Sequence, residues 1–137
     1  MIGISNKTVY GMAAIYQLSL LETNERLKIK EIALRANAPQ KFLEQILLEL
    51  KKGMVLSSIK GANGGYTLAK PITEVTLKDI MGILENNAFD EICKTDNPTL
   101  KLFWEAKQKA LLDVLDTPLS ELQTYQEQAT LNFNYTI

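Results

Sequence analysis

The sequence predicts a mainly α-helical domain with one small β-hairpin, a winged helix-turn-helix followed by a long helix. Three observations predict it. Two short amphipathic stretches, 28–36 and 39–52, are joined by a tight connection around Ala36-Asn37-Ala38. A glycine-rich hairpin, 54–69, follows the second one directly. A widely apolar helix then runs over 98–116, roughly 28 Å long at 1.5 Å per residue. The 137 residues, 46% apolar and 23% charged, suit one globular domain.

The first helix is expected over 5–22, capped by Ser5 and ended by Thr23-Asn24, with Val9, Met12, Ala13, Tyr16 and Leu20 at helical spacing. In the second, Ile29, Ile32, Ala33 and Ala36 recur at i, i+3, i+4 and i+7. Pro39 suits the first turn of the third helix, which turns Leu43, Ile46, Leu47 and Leu50 inward. Gly53 stops it after Lys51 and Lys52, whose charges suit a helix C-terminus. Residues 54–59 and 65–69 read as strands around the turn Lys60-Gly61-Ala62-Asn63-Gly64, where Asn-Gly is the hairpin signal. Thr76-Leu77-Lys78-Asp79 opens a capped helix continued by Ile80, Met81 and Leu84.

Residues 86–97 have no clean period and read as a loop holding the single cysteine, Cys93. In the helix 98–116, Leu100, Phe103, Trp104, Leu111, Leu112, Val114 and Leu115 make a wide apolar surface. Such a surface either packs beneath the hairpin domain or meets a second subunit. Thr117-Pro118 begins a further helix, with Leu119, Leu122 and Tyr125 inward. From Thr130 polar and apolar residues alternate strictly, which is strand period. The tail 130–137 is therefore an edge strand or a frayed end. The expected division is a winged domain over 1–85, a connecting loop over 86–97, and a dimerisation helix, short helix and tail over 98–137.

Composition removes several function classes. The absence of histidine excludes histidine acid–base catalysis, Ser-His-Asp and Cys-His pairs and imidazole metal sites. One cysteine makes no internal disulfide and no multi-cysteine zinc site. The glycine-rich turn lacks the Lys-Ser/Thr ending of a P-loop, so no enzyme is expected. The absence of any long apolar run or leader gives the expectation of a cytoplasmic chain without membrane contact. The net charge of −1 is unevenly divided. Residues 1–70 carry ten Lys/Arg against five Asp/Glu, and residues 71–137 carry five against eleven. A basic first half suggests that this half meets a polyanion.

The assembled residues resemble the Rrf-two (BadM-type) family of bacterial winged-helix transcription regulators. The matching pieces are Ser5-Asn6-Lys7 with Tyr10-Gly11, Ile29 to Ala33, Pro39 with Phe42 to Leu47, and above all Val55 to Ala69, with its Gly64-Gly65-Tyr66. Trp104 and Thr117 to Leu122 fit the family's dimer region, so the resemblance spans about residues 1–123. It implies a homodimer bound to a palindromic operator in double-stranded DNA. A winged-helix module serving protein contacts alone is the alternative.

Beside the resemblance, Gln40, Lys41, Glu44 and Gln45 lie opposite the inward leucines of helix 39–52, next to Pro39, where a recognition helix meets a major groove. Gln pairs with adenine, Glu accepts from cytosine, and Lys reaches guanine or phosphate. Ser5 and Lys7, at the start of the first helix, suit a phosphate. Tyr10 either joins them or belongs to the core. In the hairpin, Ser57, Ser58, Lys60, Gly61, Asn63, Gly64 and Gly65 are the candidate wing contacts. Most of the family has Arg where Lys60 stands, and a lysine reads a narrow minor groove less sharply. Leu100, Phe103, Trp104, Leu111, Val114 and Leu115 are the candidate dimer contacts.

Cluster-binding members of the family carry three cysteines between the fourth helix and the long one. Here Pro98 and Lys101 stand at positions aligned with a cysteine and a ligating histidine, so no iron–sulfur cluster is expected. Cys93 is either a redox switch or a half-buried residue without a role. An effector or partner protein stays open.

Overall fold

A computed structural model describes residues 3–86, 89 and 94–136. Its elements are α1 (Asn6–Ser19), α2 (Ile29–Ala36), α3 (Gln40–Lys52), β1 (Leu56–Ile59), β2 (Gly65–Leu68), α4 (Leu77–Leu84), α5 (Pro98–Leu115), a single 3₁₀ turn (Leu119–Glu121) and α6 (Leu122–Thr136). Helices α1 to α4 enclose one core, with Ile15, Ile32, Leu43, Ile46, Leu47, Leu50 and Ile80 buried at its centre.

Local signals explain most boundaries. Asn37 ends α2 in the left-handed conformation (φ 51°), which asparagine tolerates better than most residues, and the Ala38 N–H closes the turn on Ala33 O at 3.0 Å. Thr76 and Asp79 form a full capping box on α4. Asn97 Oδ1 accepts from the N–H groups of Thr99 and Leu100, and Pro98 takes the first position of α5. Strands β1 and β2 pair antiparallel, Leu56 with Leu68 through Ile59 with Gly65. The positive φ values of this hairpin belong to Gly61 and Gly65, not to Asn63-Gly64, so Asn-Gly marks the hairpin without forming a two-residue turn. Leu27 exchanges both backbone hydrogen bonds with Tyr66 (2.7 and 3.1 Å), which ties the chain entering α2 to the open edge of β2.

Several expectations are corrected. Helix α1 stops at Ser19, because the N–H groups of Leu20 and Leu21 turn back to Gln17 O and Leu18 O in a tightened last turn. It also buries a different face. Thr8, Gly11, Ala14, Ile15 and Leu18 point inward, while Val9 and Leu20 are 52% and 50% exposed. The small residues decide this: a Cβ on Gly11 would stand 2.6 Å from Leu84 Cδ1, so only this face lets α1 approach α4 so closely.

The tail is helix, not strand, through Thr136, and Ser5 does not cap α1 with its side chain. No strand lies alongside residues 130–136 among the described residues, and a lone strand has no ladder, whereas a helix satisfies its own backbone. Thr130 Oγ1 accordingly donates to Gln126 O at 3.0 Å. The helix expected from Thr117-Pro118 begins as the 3₁₀ turn; Leu119 is buried as expected, but Tyr125 is exposed. Leu119 is held by its N–H to Val75 O at 2.8 Å and by the Leu77 N–H to Thr117 O at 3.0 Å. This return docks the chain after α5 onto the domain, although α5 itself contributes no buried side chain.

Candidate nucleic-acid interface

Helix α3 is amphipathic in the sense required of a reading helix. Leu43, Ile46, Leu47 and Leu50 are buried, and Gln40, Lys41, Glu44 and Gln45 are all exposed on the other face, beside exposed Pro39. The start of α1 stands next to this face. Between them lies a cleft of about 440 Å³ lined by Ser5, Lys7, Tyr10, Lys41, Phe42 and Gln45 among others. The candidates Ser5, Lys7, Tyr10, Lys41 and Gln45, up to forty positions apart in the chain, thus share one surface.

Their roles within it differ from a row of free groups. Lys7 Nζ is 2.6 Å from Glu49 Oε2 and donates to Oε1 at 2.8 Å, so it links α1 to α3. Gln45 Nε2 reaches the same carboxylate at 3.3 Å. Burial alone would push the Glu49 carboxyl up. The hydrogen bonds from Lys7 and Gln45 and the charges of Lys7 and Lys52 outweigh it and hold the group below the ordinary carboxylate value. Tyr10 is half-buried against the core and stacks on Phe42, ring centroids 6.3 Å apart. Phe42 itself is largely exposed.

Ser5 is engaged by a carboxylate. Its N–H (2.9 Å) and Oγ (2.7 Å) both donate to Glu85 Oε1, which also accepts from Thr8 Oγ1 at 2.7 Å. The Ser5 hydroxyl holds the Glu85 carboxyl below its usual value, burial opposes this, and Thr8 and the Ser5 N–H reinforce it. The start of α1 therefore carries an internal anion where the sequence suggested an external one.

In the hairpin, Ser57, Lys60, Gly61 and Asn63 are exposed, Ser58 and Gly65 are half-buried, and Gly64 is buried in the turn. A Cβ on Gly64 would meet the Ile59 carbonyl oxygen at 2.1 Å, which explains the residue by close backbone approach. Lys60 makes no ion pair among the described residues. Glu49 and Glu85 were not singled out from the sequence. The Gln45–Glu49 spacing of four is a legible helix pair, whereas nothing local connects Glu85 with Ser5, eighty residues earlier.

On α5, Leu100, Phe103, Leu111 and Val114 are exposed, and Trp104 and Leu115 are half-buried. Phe103 meets Trp104 edge-on at 5.3 Å and lies under Lys107 Nζ. Cys93 lies outside the described residues.

Comparison with known proteins agrees with this architecture. The family model described as "Rrf2: Iron-dependent Transcriptional regulator" matches residues 4–128. The HTH-type transcriptional regulator CymR of Bacillus subtilis is 30% identical over 126 residues, 90% of this chain and 91% of the relative. The solved structure of that protein, described as the global cysteine regulator, superposes with a TM-score of 0.78 at 31% identity, covering 91% of this chain and 98% of the other. IscR of T. potens gives 0.75 at 30% identity, covering 93% and 90%. The oxidized form of Staphylococcus aureus CymR gives 0.70 at 33%, covering 88% and 94%. With the match extending over most of its length, the chain belongs to the Rrf2 family of winged-helix transcriptional regulators.

Proposed function

We propose that this regulator binds double-stranded DNA sequence-specifically, as a cytoplasmic homodimer on a palindromic operator. The observation that supports it best is the exposed Gln40, Lys41, Glu44 and Gln45 face of α3, continuous with the cleft at α1. A helix of this kind, with a wing beside it, suits a major groove and the flanking minor groove, and a two-fold dimer puts two such helices roughly 34 Å apart. The exposed apolar stripe of α5 supports a second copy as its cover. Among the described residues no helix is long and apolar enough to cross a membrane.

The family description names iron, and the donor set here does not fit a cluster. The chain has no histidine and one cysteine, and no group of three or more acidic or thiol ligands gathers among the described residues. Regulation without a resident cluster is the consistent reading. The solved oxidized form of S. aureus CymR favours a redox response, for which Cys93 is the sole thiol available.

The test is selection of sheared genomic DNA by the purified protein at about physiological salt, with sequencing of the retained fraction. An enriched inverted repeat is the expected result. Retention that fades evenly with salt and enriches no sequence refutes specific recognition.

A further inference from the structure

Phe42 is the only aromatic residue of α3, and it is 61% exposed. The core does not require it, because α3 supplies Leu43, Ile46, Leu47 and Leu50 to the interior. Its ring is nevertheless held. It lies 6.3 Å from the ring of Tyr10 at an interplanar angle of 14°, an offset stack of favourable geometry. Tyr10 packs in turn against the core. The stack is therefore anchored at its Tyr10 end and open at its Phe42 end.

The open ring lines the α1–α3 cleft together with Lys41 and Gln45. On a helix, Phe42 and Gln45 are neighbours at a spacing of three, and Lys41 and Gln45 at a spacing of four. Ring and ammonium thus flank one amide. The occupant that fits this edge of α3 carries an apolar group beside hydrogen-bonding ones. In a major groove the base edges present donors, acceptors and a single apolar feature, the C5-methyl of thymine. A phenyl ring has no hydroxyl with which to bond a phosphate or a base edge. What it gains from a duplex is the burial of that methyl group.

We propose that Phe42 is a specificity-determining residue that reads the C5-methyl of a thymine in each half-site, with Tyr10 as the positioning residue behind it. This rests on the DNA-binding reading, and it adds which base and which atom the apolar edge of α3 selects.

The test uses the inverted repeat recovered by genomic selection, with deoxyuridine replacing thymine at one symmetric pair of positions at a time. Uracil keeps every hydrogen-bonding group of thymine and lacks only the methyl. Affinities of the full chain, of Phe42→Ala and of Tyr10→Phe are measured by fluorescence anisotropy. For wild type, one pair of replacements is expected to weaken binding roughly 15-fold, about four-fold for each methyl no longer buried. Phe42→Ala should bind the thymine and uracil duplexes alike at that pair. Tyr10→Phe, which keeps the stack, should retain the difference whatever its overall affinity. A uracil penalty that persists in Phe42→Ala gives the methyl to another residue and overturns the proposal. A penalty lost in Tyr10→Phe gives the effect to the tyrosine hydroxyl and overturns it too. The uracil scan of wild type needs no variant to fold. Specific binding that is indifferent to uracil at every position, or a half-site without thymine, refutes the role of Phe42 and leaves the DNA reading intact. If Phe42→Ala then still weakens every duplex equally, the ring meets the sugar–phosphate backbone instead. Wild-type protein that enriches no sequence refutes both the proposal and the reading beneath it.

Discussion

Thr8, 1% exposed, donates its hydroxyl to Glu85 Oε1 at 2.7 Å and so joins the start of α1 to the end of α4 across 77 residues. Glu85 is the cap residue of α4 and the last before the segment 86–97, so this contact fixes where that segment leaves the domain.

Removing the carboxylate strands a buried hydroxyl. Glu85→Ala is expected to cost about 1–3 kcal/mol, the penalty for an unsatisfied buried donor, and to lower the melting temperature by several degrees. The pH dependence follows from the lowered carboxyl. A group depressed in the folded state contributes its full stabilisation above the ordinary value of 4.5 and loses it as pH falls through the depressed one. The gap in melting temperature between wild type and Glu85→Gln should therefore be widest near neutrality and narrow below pH 4.5. A gap that stays constant down to acid pH would show that charge is not what holds α1.

Lys7 and Glu49 give opposite effects on nucleic-acid affinity. Because Glu49 occupies the Lys7 ammonium, Glu49→Gln is expected to release a cation at the cleft and remove an opposing charge, raising affinity for all duplexes and steepening the salt slope. Lys7→Ala should weaken all duplexes alike and flatten the slope, because it leaves the Glu49 carboxylate uncompensated at the cleft. Anisotropy titrations at several salt concentrations check both, and weaker binding by Glu49→Gln would mean that the pair orients the cleft rather than masking it.

The parts of the fold legible in the sequence are those specified within a few residues. The Thr76–Asp79 cap, the Asn97-Pro98 start and the α3 stripe each depend on neighbours one turn away. The face α1 buries was not legible, since two apolar stripes compete on that helix and a distant residue, Leu84 against Gly11, selects one. The tail misled for a related reason. Alternation is a strand signal only where a partner strand exists, and residues 130–136 have none among the described residues, so Leu131 and Phe133 both stay exposed on a helix. At the interface, the exposed groups of α3 and the wing were legible as types, whereas the carboxylates that engage Ser5 and Lys7 come from α4 and α3 through tertiary packing.

Gly65 carries the seam between the wing and the strand-like residue Leu27. Its φ of +143° disfavours any side chain, and a Cβ would lie 2.6 Å from Leu27 O. Gly65→Ala is expected to destabilise by about 1–3 kcal/mol. Because Tyr66 N–H donates to Leu27 O at 2.7 Å, its amide should lose exchange protection while Ile46 and Leu47 in α3 keep theirs. Uniform loss across the domain would place the damage in the core instead.

The α5 stripe predicts the oligomeric state. At 3.6 residues per turn, Phe103, Val114, Leu100, Leu111, Trp104 and Leu115 fall within an arc of about 120°, yet α5 buries none of its side chains in the isolated chain. An exposed stripe of this width is costly in water and has the dimensions of a helix–helix seam. Phe103→Asp/Val114→Asp places two charges in that arc and is expected to convert a dimer into a monomer by sedimentation equilibrium. Melting of the α1–α4 core should stay nearly unchanged, because neither residue packs against it. Affinity for an inverted repeat should fall roughly 10²–10⁴-fold as the second head loses its effective concentration, while binding to a single half-site is retained. A double variant that remains dimeric would move the interface off α5.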